Sequence, residues 1–262
     1  MIEPLYFGRE PHRLFGVYHP GPLRVGVVLC YPIGQEYIRV HRAYLQLARR
    51  LAQRGFPVLR FDYYGCGDST GDCDQGTPKQ WIADISTAVD ELRGSGVEQT
   101  ALIGMRFGVM LALACGAERG DVAALVCWEP VVRGSEYLKE LGRLHDAWLA
   151  GSFAKPKARH APGVVREVLG FPLTESMETE YDNCDLRILA GKPAERVLII
   201  DGGDTVGSDD LTEYLKTMEV DVSRISMTYP RLWAKGSEPE SKGLVPVDVL
   251  QHVVAWMSEA FS

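Results

Sequence analysis

Two hydrophobic rhythms alternate along this chain. Short, nearly continuous apolar runs at Val25 to Tyr31, Pro57 to Tyr63, the stretch opening at Ala101, Val122 to Trp128 and Arg196 to Asp201 have the length and density of strands buried on both faces of a sheet. Between them the period lengthens to that of a helix. His41 to Arg54 places Tyr44, Leu47, Ala48 and Leu51 on one face, and Pro78 opens a helix through Leu92 at the position where proline is tolerated. Phe107 to Arg119, Asp209 to Met218 and Pro246 to Ala260 read as further helices. Leu5 to Gly8 and Arg13 to His19 predict an opening antiparallel pair, and a last strand is expected near Arg224 to Tyr229.

The alternation breaks once, from Arg133 to Gly191. That segment carries Trp148, Phe153, Phe171, several prolines and a helical stretch from Glu136 to Leu149, with nothing resembling a parallel strand. The pattern predicts an α/β core of about eight mostly parallel strands, with helices on both faces, formed by residues 1–132 and 192–262. Residues 133–191 are then a helical cap inserted over the carboxyl edge of the sheet, where open α/β sheets bind ligands.

The stretch Gly104-Met105-Arg106-Phe107-Gly108 joins a buried strand to a helix by a turn too tight for a Cβ on either side of its central residue. It has the frame of a nucleophile elbow, Gly-x-Ser-x-Gly, with Arg106 in place of serine. A guanidinium stays protonated and has no lone pair with which to attack.

Charge and cysteine narrow the partners. The net charge of -7 is spread without long runs, which argues against a nucleic-acid or anionic-membrane surface. No apolar run approaches the ~20 residues of a membrane span, and the start lacks a signal-peptide pattern, so a cytoplasmic location is expected. The six cysteines are scattered, with no metal-ligand spacing, and neither a metal nor an organic cofactor is called for.

Together with the elbow, Arg60-x-Asp62-x-x-Gly65-x-Gly67-x-Ser69 and the strand-helix alternation resemble the α/β-hydrolase superfamily across nearly the whole chain. More narrowly, Gly-x-Arg-x-Gly, the Gly-Cys-Gly-Asp-Ser-Thr-Gly-Asp loop and Gly170-Phe171-Pro172-Leu173 resemble the hydrolase-like proteins of exosortase systems and natural-product clusters. The resemblance implies an acid after the strand ending at Ile200, where Asp204 is the match and Asp201 the nearby competitor. It also implies a histidine between Tyr229 and Pro246. That loop has none and offers Trp233 and two lysines instead; His252 falls inside the closing helix.

The resemblance leaves two backbone donors for a carbonyl oxygen, the N–H of Phe107 and that of Ile33. Arg106, flanked by Met105 and Phe107, adds positive charge at a helix N-terminus and reads as an anion anchor whose removal spares the fold. In the free protein it should pair with Asp204 or Glu36, the latter in the loop after Cys30, or hold an anion from the buffer. Cys30, Cys66 and Ser69 are substitute nucleophiles by topology, each with a structural reading beside it, and His145 and His160 in the cap are possible bases. Three functions follow as expectations. One is non-hydrolytic proton-transfer chemistry (epimerisation, cyclisation, dehydration) on a small acyl, peptidyl or polyketide-like substrate, free or carrier-bound. The others are a pseudoenzyme that binds or chaperones such a molecule, and an unorthodox esterase or thioesterase.

Overall fold

In the computed structural model the described residues are 2–151, 164–203, 205–231 and 245–262. Strands β1 (Glu3–Arg9) and β2 (His12–His19) form the expected antiparallel hairpin. Then come β3 (Val25–Cys30), α1 (Gln35–Gln53), β4 (Val58–Phe61), α2 (Pro78–Gly94), β5 (Gln99–Met105), α3 (Phe107–Arg119) and β6 (Ala124–Trp128). After the insertion the core closes with β9 (Arg196–Asp201), α6 (Ser208–Thr217), β10 (Asp221–Ser226) and α7 (Val247–Ala260). The eight strands lie in the order β1-β2-β4-β3-β5-β6-β9-β10, and every neighbour from β4 to β10 is parallel.

This order has a functional consequence. From β3 the chain steps one way to β4, then crosses back over β3 to β5. Right-handed crossovers in opposite directions put α1 on one face of the sheet and α2 and α3 on the other, matching the packing of α1 on α7 and of α2 on α3. The loops leaving β3 and β5 therefore diverge and open a crevice at the strands' carboxyl ends. Ile33 and Arg106 stand on those two loops.

The central strands are sealed on both sides: every residue of β6, and all of β5 after Gln99, is buried. α1 supplies Val40, Ala43, Tyr44, Leu47, Ala48 and Leu51 as a buried stripe at helical spacing.

The insertion is not wholly helical. It holds α4 (Gly134–Ala150), an antiparallel hairpin of β7 (Val164–Val168) and β8 (Phe171–Thr174), α5 (Glu175–Asn183) and one turn of 3-10 helix at Leu186–Ile188. The hairpin turns through Leu169 and Gly170, both at positive φ, and its strands are too short for an alternating pattern to declare itself. α5 is announced locally: Thr174 caps it, accepting from the Met177 N–H at 3.2 Å, as N-cap hydroxyls do. The last strand also begins earlier than expected, at Asp221, because it pairs with β9 from Arg196 onward. Among the described residues no helix is long and apolar enough to cross a membrane, and no group of His, Cys, Asp and Glu could hold a metal ion.

Candidate functional site

At the end of β5 the backbone turns into α3 on Arg106, with φ 53 and ψ -125. A bulky residue adopts that region only when its surroundings dictate it. Here the Arg106 N–H donates to the Trp128 carbonyl at 2.9 Å and its own carbonyl accepts from Val109 at 3.0 Å. Both glycines are required by close approach: a Cβ on Gly104 would lie 2.6 Å from the Gly108 oxygen, and one on Gly108 would lie 2.4 Å from the Cys30 oxygen. The elbow is thus built as the sequence predicts, with an arginine at its apex.

The Arg106 side chain does not reach into open space. It is 6% exposed; its Nε donates to Glu36 Oε1 at 3.0 Å and one terminal nitrogen donates to Glu140 Oε2 at 2.7 Å. Tyr137 donates its hydroxyl to the other Glu36 oxygen at 2.9 Å and places its ring 5.6 Å from the guanidinium carbon. Glu36 comes within range because α1 starts at Gln35, directly after Gly34, rather than at His41; it stands in the first helical turn rather than in a loop, where the helix dipole favours a carboxylate. Burial pushes the Glu36 carboxyl up, while the Arg106 charge and the hydrogen bonds from Arg106 and Tyr137 oppose the shift. Burial also works against the charge on Arg106, but Glu36 and Glu140 outweigh it and hold the guanidinium above its ordinary pKa. The geometry is that of an ion pair, and we take both partners as charged. Asp204, the other partner expected for Arg106, lies outside the described residues.

Beyond Tyr137 lies a cavity of about 330 Å³ between the insertion and the loops of the core. Ile33 and Gly34 form part of one wall, Gly65, Cys66 and Gly67 another, and Leu138, Leu141, Phe171 and Leu173 close it from the insertion. Among the described residues no Asp, Glu, Lys or Arg lines it. Arg106 opens instead onto a separate polar cleft of about 450 Å³, shared with Glu129, Arg133, Lys139, Arg143 and Arg231. Tyr137 lines both spaces and is the partition between them. The anchor expected at Arg106 is therefore engaged by carboxylates of the protein and faces away from the apolar cavity.

The remaining sequence candidates separate clearly. Ile33 lines the cavity, but Met105 and Phe107 are fully buried and line neither space. Phe107 is the floor on which the insertion stacks, 5.3 Å from the Tyr137 ring and 4.5 Å from that of Tyr181. His145 does not line the cavity; its Nδ1 accepts the Leu169 N–H at 3.0 Å and so pins the hairpin turn. Ser69 donates to the Asp62 carbonyl at 2.5 Å and accepts from the Phe15 N–H at 2.8 Å, a structural role. Cys30 is fully buried, and burial raises its thiol far out of the reactive range. Cys66 does line the cavity, but burial pushes its thiol up to about 12, which leaves little thiolate. Asp201 pairs with Arg224 at 2.8 Å, and His252 is exposed on α7. Trp233 and His160 lie outside the described residues.

Sequence reasoning missed Tyr137, Glu140, Tyr181 and Glu129. Tyr137 and Glu140 are three apart on α4 and so share one face. Glu129 is 2% exposed, sits at φ 50 after β6 and accepts from Tyr229 at 2.8 Å and Thr205 at 2.6 Å. Its available signal was a lone acid directly after a wholly apolar strand.

The family described as serine aminopeptidase, S33, matches residues 37–169. No curated protein matches the chain. Among solved structures, Est1E from Butyrivibrio proteoclasticus with ferulic acid bound is similar at a TM-score of 0.68 and 16% identity over 98% of each chain. An esterase of Pyrococcus furiosus, Pf2001, gives a TM-score of 0.67 at 15% identity over 99% of this chain and 92% of its own. The mouse alpha/beta hydrolase domain-containing protein 10 gives 0.59 at 16% identity over 98% and 97%. At these identities the likeness is one of fold. The family match, in contrast, spans just over half of the sequence and runs through the elbow, and on it the chain belongs to the S33 family of α/β hydrolases.

Proposed function

We propose that this chain is a non-hydrolytic member of its family that holds a small, uncharged, largely apolar acyl-type molecule in the cavity beneath the insertion. One observation carries the reading: the elbow residue is an arginine whose guanidinium is taken up by Glu36 and Glu140 and turned away from the apolar cavity. A triad works as a unit, so an elbow without a nucleophile retains little of its rate. The sequence also carries no histidine between Tyr229 and Pro246.

Of the two non-hydrolytic alternatives, binding is favoured over proton transfer. Glu36, the buried carboxylate nearest the elbow, is shared between Arg106 and Tyr137 and is not on the cavity wall. A space of this size lined by aromatic and aliphatic groups suits a small ligand. A carboxylate would lose its hydration there without a cation to replace it, so the ligand is an ester, thioester, amide or ketone rather than a free acid. The narrower resemblance to proteins of exosortase systems and natural-product clusters supports a carrier or chaperone role in a biosynthetic pathway, with a soluble small molecule as partner.

Native mass spectrometry of freshly purified protein, beside turnover assays with p-nitrophenyl butyrate and butyryl-CoA, tests the reading. Retention of an uncharged small molecule without turnover is expected. Hydrolysis of either ester above the rate of heat-denatured protein would overturn it.

A further inference from the structure

Among the described residues four tyrosines line the cavity, Tyr37, Tyr63, Tyr137 and Tyr181, and three of their hydroxyls are committed. Tyr37 donates to Asp62 Oδ1 at 2.6 Å, Tyr63 to the Tyr31 carbonyl at 3.2 Å and Tyr137 to Glu36 Oε2 at 2.9 Å. The indole N–H of Trp81, on the same wall, is committed to the Tyr64 carbonyl at 3.1 Å. Tyr181 differs. It is 4% exposed, and among the described residues its hydroxyl has no hydrogen-bond partner.

A buried hydroxyl left unsatisfied costs stability, and native structures rarely tolerate one without a reason. Among the described residues, side-chain oxygens that are both sealed from solvent and without a hydrogen bond are Thr100 Oγ1 and Ser208 Oγ. The Tyr181 oxygen is not one of them, so it borders open space, and the open space that Tyr181 lines is the cavity. Its ring is held in place from three sides, 4.5 Å from Phe107, 6.2 Å from Tyr137 and 6.3 Å from Trp81. A rigidly held donor beside apolar walls is how a mostly hydrophobic pocket fixes the orientation of its ligand.

We infer that Tyr181 is the specificity-determining anchor of this cavity, donating a hydrogen bond to a carbonyl oxygen of an uncharged ligand. The inference rests on the proposed binding function and deepens it, since it selects carbonyl compounds over hydrocarbons of equal size. Burial holds the phenol pKa far above its ordinary value, so the hydroxyl keeps its proton, and its donor role, throughout the working pH range.

The test uses the solvatochromic ketone prodan, an uncharged naphthalene whose emission shifts to the red when its carbonyl accepts a hydrogen bond. Its analogue with the carbonyl replaced by methylene is the control. The parent should bind prodan saturably, and Leu141→Trp, which fills the cavity, should abolish binding. Tyr181→Phe should weaken prodan by about three- to tenfold, the worth of one neutral hydrogen bond, shift its bound emission to the blue and leave the methylene analogue unchanged. Because that hydroxyl bonds no other described residue, Tyr181→Phe should melt no lower than the parent. Equal prodan affinity and emission in parent and Tyr181→Phe would overturn the anchor while leaving the binding function standing. No saturable binding, or binding indifferent to Leu141→Trp, would overturn the binding function and the anchor with it.

Discussion

Arg106 and Glu36, seventy residues apart, meet at 3.0 Å with side chains 8% and 4% exposed. The contact ties the apex of the elbow to the first turn of α1, across the point where the strand order reverses. A buried pair of this kind contributes little net stability while intact, yet removing one partner strands the other charge. Arg106→Ala should therefore destabilise the fold by about 3 kcal/mol, toward the low end of the range for broken buried pairs because the half-exposed Glu140 remains. This geometry weighs against the expectation that removing Arg106 costs the fold little. Glu36→Gln should cost a similar amount, and the double variant Arg106→Ala/Glu36→Gln less than the sum. Urea unfolding of the three variants checks this, and strict additivity would show that the pair is not coupled.

Arg106→Ser puts a hydroxyl back at the apex but supplies no base, so it should not generate esterase activity. Serine-directed fluorophosphonate should label neither the parent nor Arg106→Ser. Stoichiometric labelling of the parent, read by intact-mass spectrometry, would relocate the chemistry; its loss in Cys66→Ala or Ser69→Ala would say where.

His19 makes the fold acid-sensitive. It is 2% exposed and its Nε2 accepts from Arg60 Nε at 3.1 Å. Burial, helped by the charges of Arg60 and Arg49, lowers its pKa to about 4. The unfolded chain, with histidine near 6.5, then binds more protons than the folded one between those values. Stability is fully present above about pH 6.5 and declines as pH falls toward 4, by on the order of 2 kcal/mol from this residue. Denaturation midpoints from pH 7 to 4 should show the slope, and His19→Gln should flatten it.

Two glycines give opposite outcomes on substitution. In Gly108→Ala the new methyl meets the Cys30 and Tyr31 carbonyl oxygens at 2.4 and 2.5 Å, backbone atoms that cannot rotate away. A loss of about 3 kcal/mol, as for severe overpacking, or failure to fold is expected. Gly94, the last residue of α2, has nothing within 4 Å of an added Cβ. Gly94→Ala should raise stability by about 0.5 kcal/mol, because alanine loses less backbone freedom on folding. Melting temperatures of the pair decide both.

Much was legible from the chain alone, because it is encoded in neighbouring residues. The double-buried strands announced themselves as unbroken apolar runs, α3 by its helix formers and the elbow by Gly104 and Gly108. The early start of α1 was not, since Gln35-Glu36-Tyr37 resembles a polar loop until Glu36 acquires its partner. Nor was the hairpin of the insertion, whose strands are held by pairing across a turn rather than by pattern.

The site divides the same way. That Arg106 would seek a carboxylate, Glu36 among the two offered, followed from the cost of burying a lone guanidinium, which depends on residue type alone. Which way the arginine turned was decided by α4, which delivers Glu140 and slides Tyr137 between the elbow and the cavity. Tyr181 stands among Phe107, Tyr137 and Trp81, residues drawn from three other helices. A side chain's hydrogen-bond vacancy is a property of everything packed around it, so a hydroxyl that bonds no other described residue, and gives the cavity its proposed specificity, appears only when the chain is folded.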